Sequence, residues 1–361
     1  MFSADSPHIQ QRRGAYSHIL ATVYDRPWAI LPSKLLAITE FLNVRLAGER
    51  LAPEAIVANT AVGPEAYAVV ASTGTREPLV LPEAARGAAR VAARPAGSRI
   101  AVLPLFGLIL PRVGPMDAMS GATSLEEFMG VLRAVMADEA YRAVVLNVDS
   151  PGGSVDLIQE SAAEIRGMRG GKPLEAVANT MAASASYWLA TAASRVSVTP
   201  SGMVGSIGVV AAHQDFSRMD EMAGVTTTLI TSAHAPYKAE GAETAPLADE
   251  ARAEMQRLVD AYEGQFIADV ARQRGVSVAA VRSGFGGGRM RLAKEAVAAG
   301  MADGVATLDE VLQRLGSTRR EGGPAGAAAA SDGDEEREAG FAPDPARVAA
   351  LVGARLAGGS R

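Results

Sequence analysis

Cysteine is absent from the 361 residues. That excludes a disulfide framework, a thiol nucleophile and a thiolate metal site, and it fits a reducing compartment. Basic charge is also in short supply: the formal net charge is −5, so no positive field is available to hold nucleic acid. No stretch approaches eighteen uninterrupted apolar residues, and Met1 to Gln11 are polar, with no apolar core of signal-peptide length. These absences predict a soluble cytoplasmic protein with no signal peptide, no membrane span and no nucleic-acid partner. Nucleotide signatures are missing too. There is no Gly-x-x-x-x-Gly-Lys-Ser/Thr pattern, and the glycine-rich Gly284 to Arg289 follows no apolar strand, which makes it a loop.

What is present is ample material for a core, 48% hydrophobic residues, in a chain longer than one average domain. Ser33 to Leu42 has helical spacing after a Ser33 cap, and with the Tyr24 to Pro32 stretch it reads as a docking arm in which Trp28 is an ordinary buried aromatic. Residues 47 to 97, rich in Ala, Pro, Gly and Arg, read as a loosely ordered connector. The expected organisation is therefore an N-terminal helical arm and connector over 1–97, one domain over 98–316, and a disordered linker with a short helical tail (Ala346 to Leu356) over 317–361.

Within 98–316 the pattern alternates. Ser98 to Ile109 and Tyr141 to Val148 are near-continuous apolar strands, with a helix from Ser124 to Ala137 between them. The second strand runs into a turn, Asp149-Ser150-Pro151-Gly152-Gly153, before a helix beginning near Val155. A further strand, Lys172 to Asn179, leads through Thr180-Met181-Ala182-Ala183 to Ser184, where a helix of small apolar residues starts. Strand, turn and helix thus occur twice, which predicts an α/β fold with right-handed crossovers. Strands are also expected near Val209 to Ala212 and over Thr226 to Ile230. Long and short helices follow at Leu247 to Arg274, Leu292 to Ala299 and Leu308 to Leu315.

Ser184 stands where unpartnered helix amides and the macrodipole concentrate positive potential, a setting suited to a nucleophile and its oxyanion. A helix N-cap is the plain alternative for a serine in this place. Gly152 and Gly153 allow backbone N–H groups to approach a substrate closely, and one of them with the Ala185 amide would form an oxyanion hole. A simple Pro-Gly turn serves the fold equally well. A serine needs a base. Of the four histidines, His213 reads as structural and His234 lies in a turn-rich loop that also offers Lys238. Lys238 could act as base if burial lowered its pKa and a hydroxyl such as that of Ser206 held its amine; otherwise it is a solvated loop residue.

Taken together, Asp149-Ser150-Pro151-Gly152-Gly153, Ala182-Ala183-Ser184 with Tyr187-Trp188, Gly205-Ser206-Ile207-Gly208-Val209 and the Lys238 loop resemble the signal peptide peptidase A family of serine peptidases. The resemblance spans about Ser98 to Leu315 and is nearest the phage and prophage head-maturation branch, whose members the Pro27 to Pro32 segment also resembles. It implies a Clp protease/crotonase-like fold of stacked ββα units, commonly assembled into homo-oligomeric rings. It implies Ser184 as nucleophile, Lys238 as general base, Ser206 as the serine holding the lysine, and the Gly152 or Gly153 and Ala185 amides as oxyanion hole. No cofactor or metal is implied. The implied partners are a polypeptide substrate and phage capsid, portal or scaffold proteins. The chain departs from the family in two places: Ser184-Ala185-Ser186 replaces a Gly-containing sequence, and Pro236 interrupts what is usually a short Gly-x-x-Lys turn. An inactive capsid-assembly scaffold and a crotonase-type acyl-CoA enzyme are the alternatives.

Overall fold

A computed structural model describes residues 26–47, 65–79, 96–113 and 121–317, with side chains over 26–40 in the first segment. The expectations for the 317–361 tail fall outside these residues, except at Ser317. Within the described part, parallel strands alternate with helices as the apolar periodicity requires, in an eleven-stranded sheet.

The centre of the sheet consists of β4 (Arg99–Leu110), β6 (Tyr141–Ser154) and β7 (Leu174–Ala183), paired in parallel. Their continuous runs of Val, Leu, Ile and Ala are buried on both faces, the signature of parallel strands covered by crossovers. The β4–β6 crossover carries a short β5 (Thr123–Ser124) and helix α2 (Leu125–Ala137), in which the Ser124 hydroxyl caps the Glu127 amide and Leu125, Phe128, Met129, Leu132 and Val135 are buried. Helix α3 (Ile158–Gly167) makes the β6–β7 crossover, and α4 (Ala185–Thr191) follows β7.

The far edge of β7 is divided between two strands. Its first half pairs with β8 (Arg195–Val198), its second half with β9 (Met203–Gly205). After a short α5 (Ser217–Met222), helix α6 (Asp249–Arg274) packs its C-terminal half against α4: Trp188 stacks on Phe266 with ring centroids 4.5 Å apart, and the Trp188 Nε1–H donates to Asp269 Oδ2 at 3.0 Å. Helix α7 (Val278–Gly284), β10 (Met290–Leu292), α8 (Ala293–Ala298), β11 (Gly304–Val305) and α9 (Leu308–Ser317) complete this side, with β10 antiparallel to β9 and β11 parallel to β8.

Five expectations are corrected by the structure. The Pro151-Gly152-Gly153 stretch is not a turn but the last part of β6, held extended because β4 pairs with it on one side and β1 (Trp28–Ile30) on the other. The connector expected over 47–97 contains a hairpin, β2 (Tyr67–Val70) and β3 (Arg76–Pro78). The apolar residues of β2 add to the free edge of β4, with Ala68 opposite Ala101 and Val69 opposite Ile100. Thr226 to Ile230 forms no strand. Its β-branched residues find no partner edge, and Ile230 is 93% exposed. Val209 to Ala212 likewise forms no strand beyond one bridge, Val210 to Trp28. In the arm, α1 (Pro32–Ala47) starts one residue earlier than expected, with Pro32 in its first turn, so Ser33 is helical and not the cap.

Candidate active site

Ser184 occupies the single residue between β7 and α4. It is completely buried, with φ 55° and ψ −120°. Those are the angles of the first central residue of a type II′ turn, a position dominated by glycine, so a serine there carries backbone strain. The surroundings impose it. The Ser184 amide donates to the Gly205 carbonyl at 2.8 Å, continuing the β7–β9 register past Ala183 and Gly205, while the Ser184 carbonyl accepts from the Trp188 amide at 3.0 Å and starts the helix.

A capping serine would use its hydroxyl on the helix amides. The Ser184 hydroxyl makes no such bond; its partner is the Gly208 carbonyl at 3.4 Å, longer than an ordinary hydroxyl hydrogen bond. Structural bonding falls instead to Ser186, whose buried hydroxyl lies 2.8 Å from the Ala183 carbonyl and 2.9 Å from the Ser150 carbonyl and donates to one of them at a time. Ser186 thereby ties the serine turn to β6. Ala185 begins α4, so its amide has no intrahelical partner.

Gly152 faces this turn from β6. At φ 102° it takes a conformation side-chain-bearing residues rarely adopt, and a Cβ built on it would lie 3.0 Å from the Ser184 Cβ and 2.2 Å from the Ala29 carbonyl oxygen. Its amide donates to the Ser150 hydroxyl at 3.1 Å. Gly153 has no room for a side chain either, because a Cβ would meet the Ile109 carbonyl at 1.8 Å. Beside them the Thr180 hydroxyl donates to Asp149 Oδ1, with Thr180 at a positive φ of 132°.

Ser206 directly follows Gly205, the last residue of the strand β9 that pairs beside Ser184. It is buried, at φ 53°, and its amide donates to the Arg289 carbonyl at 3.1 Å. The structure therefore brings together Ser184, Ala185, Gly152, Gly153 and Ser206. It does not bring Lys238 to them. Lys238 is exposed on a 3-10 turn, Pro236–Ala239, and among the described residues no hydrogen bond joins it to Ser184 or Ser206. Neither His213 nor His234 bonds Ser184. His234 is exposed, and His213 Nε2 is buried without a partner among the described residues.

Below the turn, the Tyr187 hydroxyl donates to the Met301 carbonyl at 2.8 Å, and burial pushes its pKa well above the tyrosine range, which keeps it a neutral donor.

A buried, strained, non-capping serine between strand and helix, beside glycine amides, is the arrangement that acyl-transfer hydrolases use. The profile of peptidase family S49 matches residues 167–320, which include Ser184, Ser206 and Lys238. That stretch is similar to peptidase family S49. Outside that stretch, the glycines of β6 belong to the same constellation by geometry. The chain is 39% identical over 182 residues to the head-tail preconnector protein GP5 of Enterobacteria phage P21, covering 50% of this chain and 36% of the relative. It is 36% identical over 211 residues to the capsid assembly protease C of Escherichia phage lambda, covering 56% and 46%. The chain thus spans less than half the length of either phage relative. Among solved structures, a variant of the 1510-N membrane-bound stomatin-specific protease is 15% identical, with a TM-score of 0.39 over 59% of this chain and 82% of that one. No helix among the described residues is long and apolar enough to cross a membrane.

Ser186 and Ser150 carry a role that the motifs containing them do not announce. Their signal was present, since both are serines inside otherwise apolar segments, but only the fold shows that they face each other.

Proposed function

We propose that this chain is a serine endopeptidase in which Ser184 is the nucleophile and Lys238 the general base. The observation that carries this reading is the Ser184 turn itself: strain at a fully buried serine whose hydroxyl caps nothing is costly and has no structural return.

In the proposed reaction, neutral Lys238 accepts the hydroxyl proton while Ser184 Oγ attacks a peptide carbonyl. The Ala185 amide and that of Gly152 or Gly153 hold the oxyanion, and removing one such donor costs on the order of 3 kcal/mol of transition-state stabilisation. The tetrahedral intermediate collapses to an acyl-enzyme, and Lys238 returns the proton to the leaving amine. Water then attacks the ester, giving its proton to Lys238, which returns it to Ser184 Oγ as the acid leaves. Lys238 is exposed here. The 224–248 segment must close over the site, or be covered by further copies of the chain in a ring, to desolvate the amine and bring it to Ser206. Ile230 and Tyr237, 93% and 72% exposed, give that stretch an apolar surface to bury. The described domain, 98–316, would be the peptidase unit. By its likeness to the two phage proteins it would process proteins of a phage capsid assembly, in the host cytoplasm or the assembling particle.

The test is labelling with a fluorophosphonate followed by peptide mass spectrometry. Modification of Ser184, lost in Ser184→Ala and in Lys238→Ala, is the expected result. An assembled, folded sample with no labelled Ser184 would leave the scaffold reading in its place.

A further inference from the structure

Beyond Ser150, β7 leaves the sheet for the Ser184 turn, but β6 runs on through Gly152, Gly153 and Ser154. The edge exposed by that departure lies directly beside the serine, and it is not free. The chain's own β1 fills it, antiparallel, with Ile30 opposite Gly152, Ala29 opposite Gly153 and Trp28 opposite Ser154. On its other side β1 is held by Val210, the Trp28 amide donating to the Val210 carbonyl at 2.7 Å and the Val210 amide to the Trp28 carbonyl at 2.9 Å. Leu31 adds a bond to the Pro151 carbonyl at 2.9 Å. The Ala29 carbonyl reaches so close to Gly152 that one methyl group placed there would meet both it and Ser184. All three side chains are at least 98% buried: Trp28 and Ile30 enter an apolar pocket with Leu108, Leu110 and Val210, and Ala29 faces the main core.

We propose that β1 is a resident occupant of the substrate groove. The groove is the slot between Gly152–Ser154 and Val210, and its substrate is an extended polypeptide strand that replaces β1 by the same backbone pairing, with apolar side chains at the positions of Trp28 and Ile30 and a small one between them. Strand addition draws its affinity from main-chain bonds and its specificity from pockets for alternate side chains. The slot supplies both: ladder groups on two sides and an apolar pocket on one face. Residues 28–30 must leave before a substrate enters, so the segment holds the enzyme closed. This inference rests on Ser184 being the nucleophile.

The test uses the full chain carrying Trp28→Cys and Val210→Cys. The two are a mutually hydrogen-bonded antiparallel pair, whose Cα atoms lie about 5.5 Å apart, within disulfide range. With no native cysteine, these are the sole thiols. Oxidised and reduced forms share the cavity left by Trp28, so their difference reports the tether alone. The expected result is casein cleavage at least about tenfold slower when oxidised, restored by reductant. Equal cleavage in the two forms, with Ser184 labelled by fluorophosphonate, overturns the groove assignment. Absence of labelling in both forms overturns the nucleophile instead. As a measurement without altered packing in the groove, amide exchange on the Ser184→Ala chain bound to carboxymethylated casein should show 26–31 deprotected and 208–212 still protected. Continued protection of 26–31 in that complex overturns the proposal.

Discussion

Gly152 in β6 and Ser184 just past the end of β7, thirty-two positions apart in sequence, are in such close contact that a single methyl on the glycine would fall 3.0 Å from the serine Cβ. The glycine is required by the serine's position, and the serine's strained backbone is fixed by the strands on either side. The same methyl would meet the Ala29 carbonyl at 2.2 Å, so Gly152 is also the point where the N-terminal strand touches the site.

Gly152→Ala therefore strikes all three. A Cβ at φ 102° with backbone oxygen in its path should cost at least about 2 kcal/mol of stability. Where the variant still folds, its rate of fluorophosphonate labelling should fall by roughly a hundredfold, since the Gly152–Ser184 spacing must open. Thermal melting and labelling kinetics, measured together, check both.

Ser184→Gly should abolish hydrolysis and raise stability. Glycine adopts φ 55°, ψ −120° without penalty, and the only hydroxyl bond lost is the long one to Gly208. An increase of about 1 kcal/mol in denaturant unfolding is expected over the parent, and no such gain for Ser184→Ala, which keeps a Cβ at the same angles. A glycine variant less stable than the parent would show that the serine is structural.

Lys238→Ala should leave the melting temperature unchanged, because the side chain is exposed and bonds nothing among the described residues. Peptide hydrolysis should drop to background. Lys238→Arg should not restore it, since a guanidinium stays protonated and cannot accept the hydroxyl proton.

Asp303 gives the acid limb of stability. Burial disfavours its charge, but two bonds from Arg274, each 2.8 Å, and one from the Val196 amide at 2.7 Å outweigh this and hold its pKa below the usual carboxylate value. A depressed folded-state pKa adds stability that is complete above the unfolded value, about 3.9, and is lost as pH falls through the folded one. Asp303→Asn should lower stability at pH 7 by roughly 2 kcal/mol and weaken the decline below about pH 4. Urea unfolding at pH 7 and pH 3.5 measures both effects.

The alternating strands and helices of 98–316 are legible in the residues alone, because parallel strands are buried on both faces and read as unbroken apolar runs at Ile100, Val144 and Leu174. The residues also place Ser184 at a strand-to-helix junction and single out Gly152. Those are local properties of short windows. The tertiary structure decided what no window contains. Gly152 and Gly153 lie in a strand because β1 and β4 pair with both edges. Ser186, not Ser184, does the structural bonding, because Ser150 comes to face it across β6. Thr226 to Ile230, with every local preference for a strand, stays irregular because no edge is offered. Trp28 to Ile30, three residues with no periodicity to read, became the strand beside the serine because β7 turned away from β6 and left backbone groups there to be satisfied.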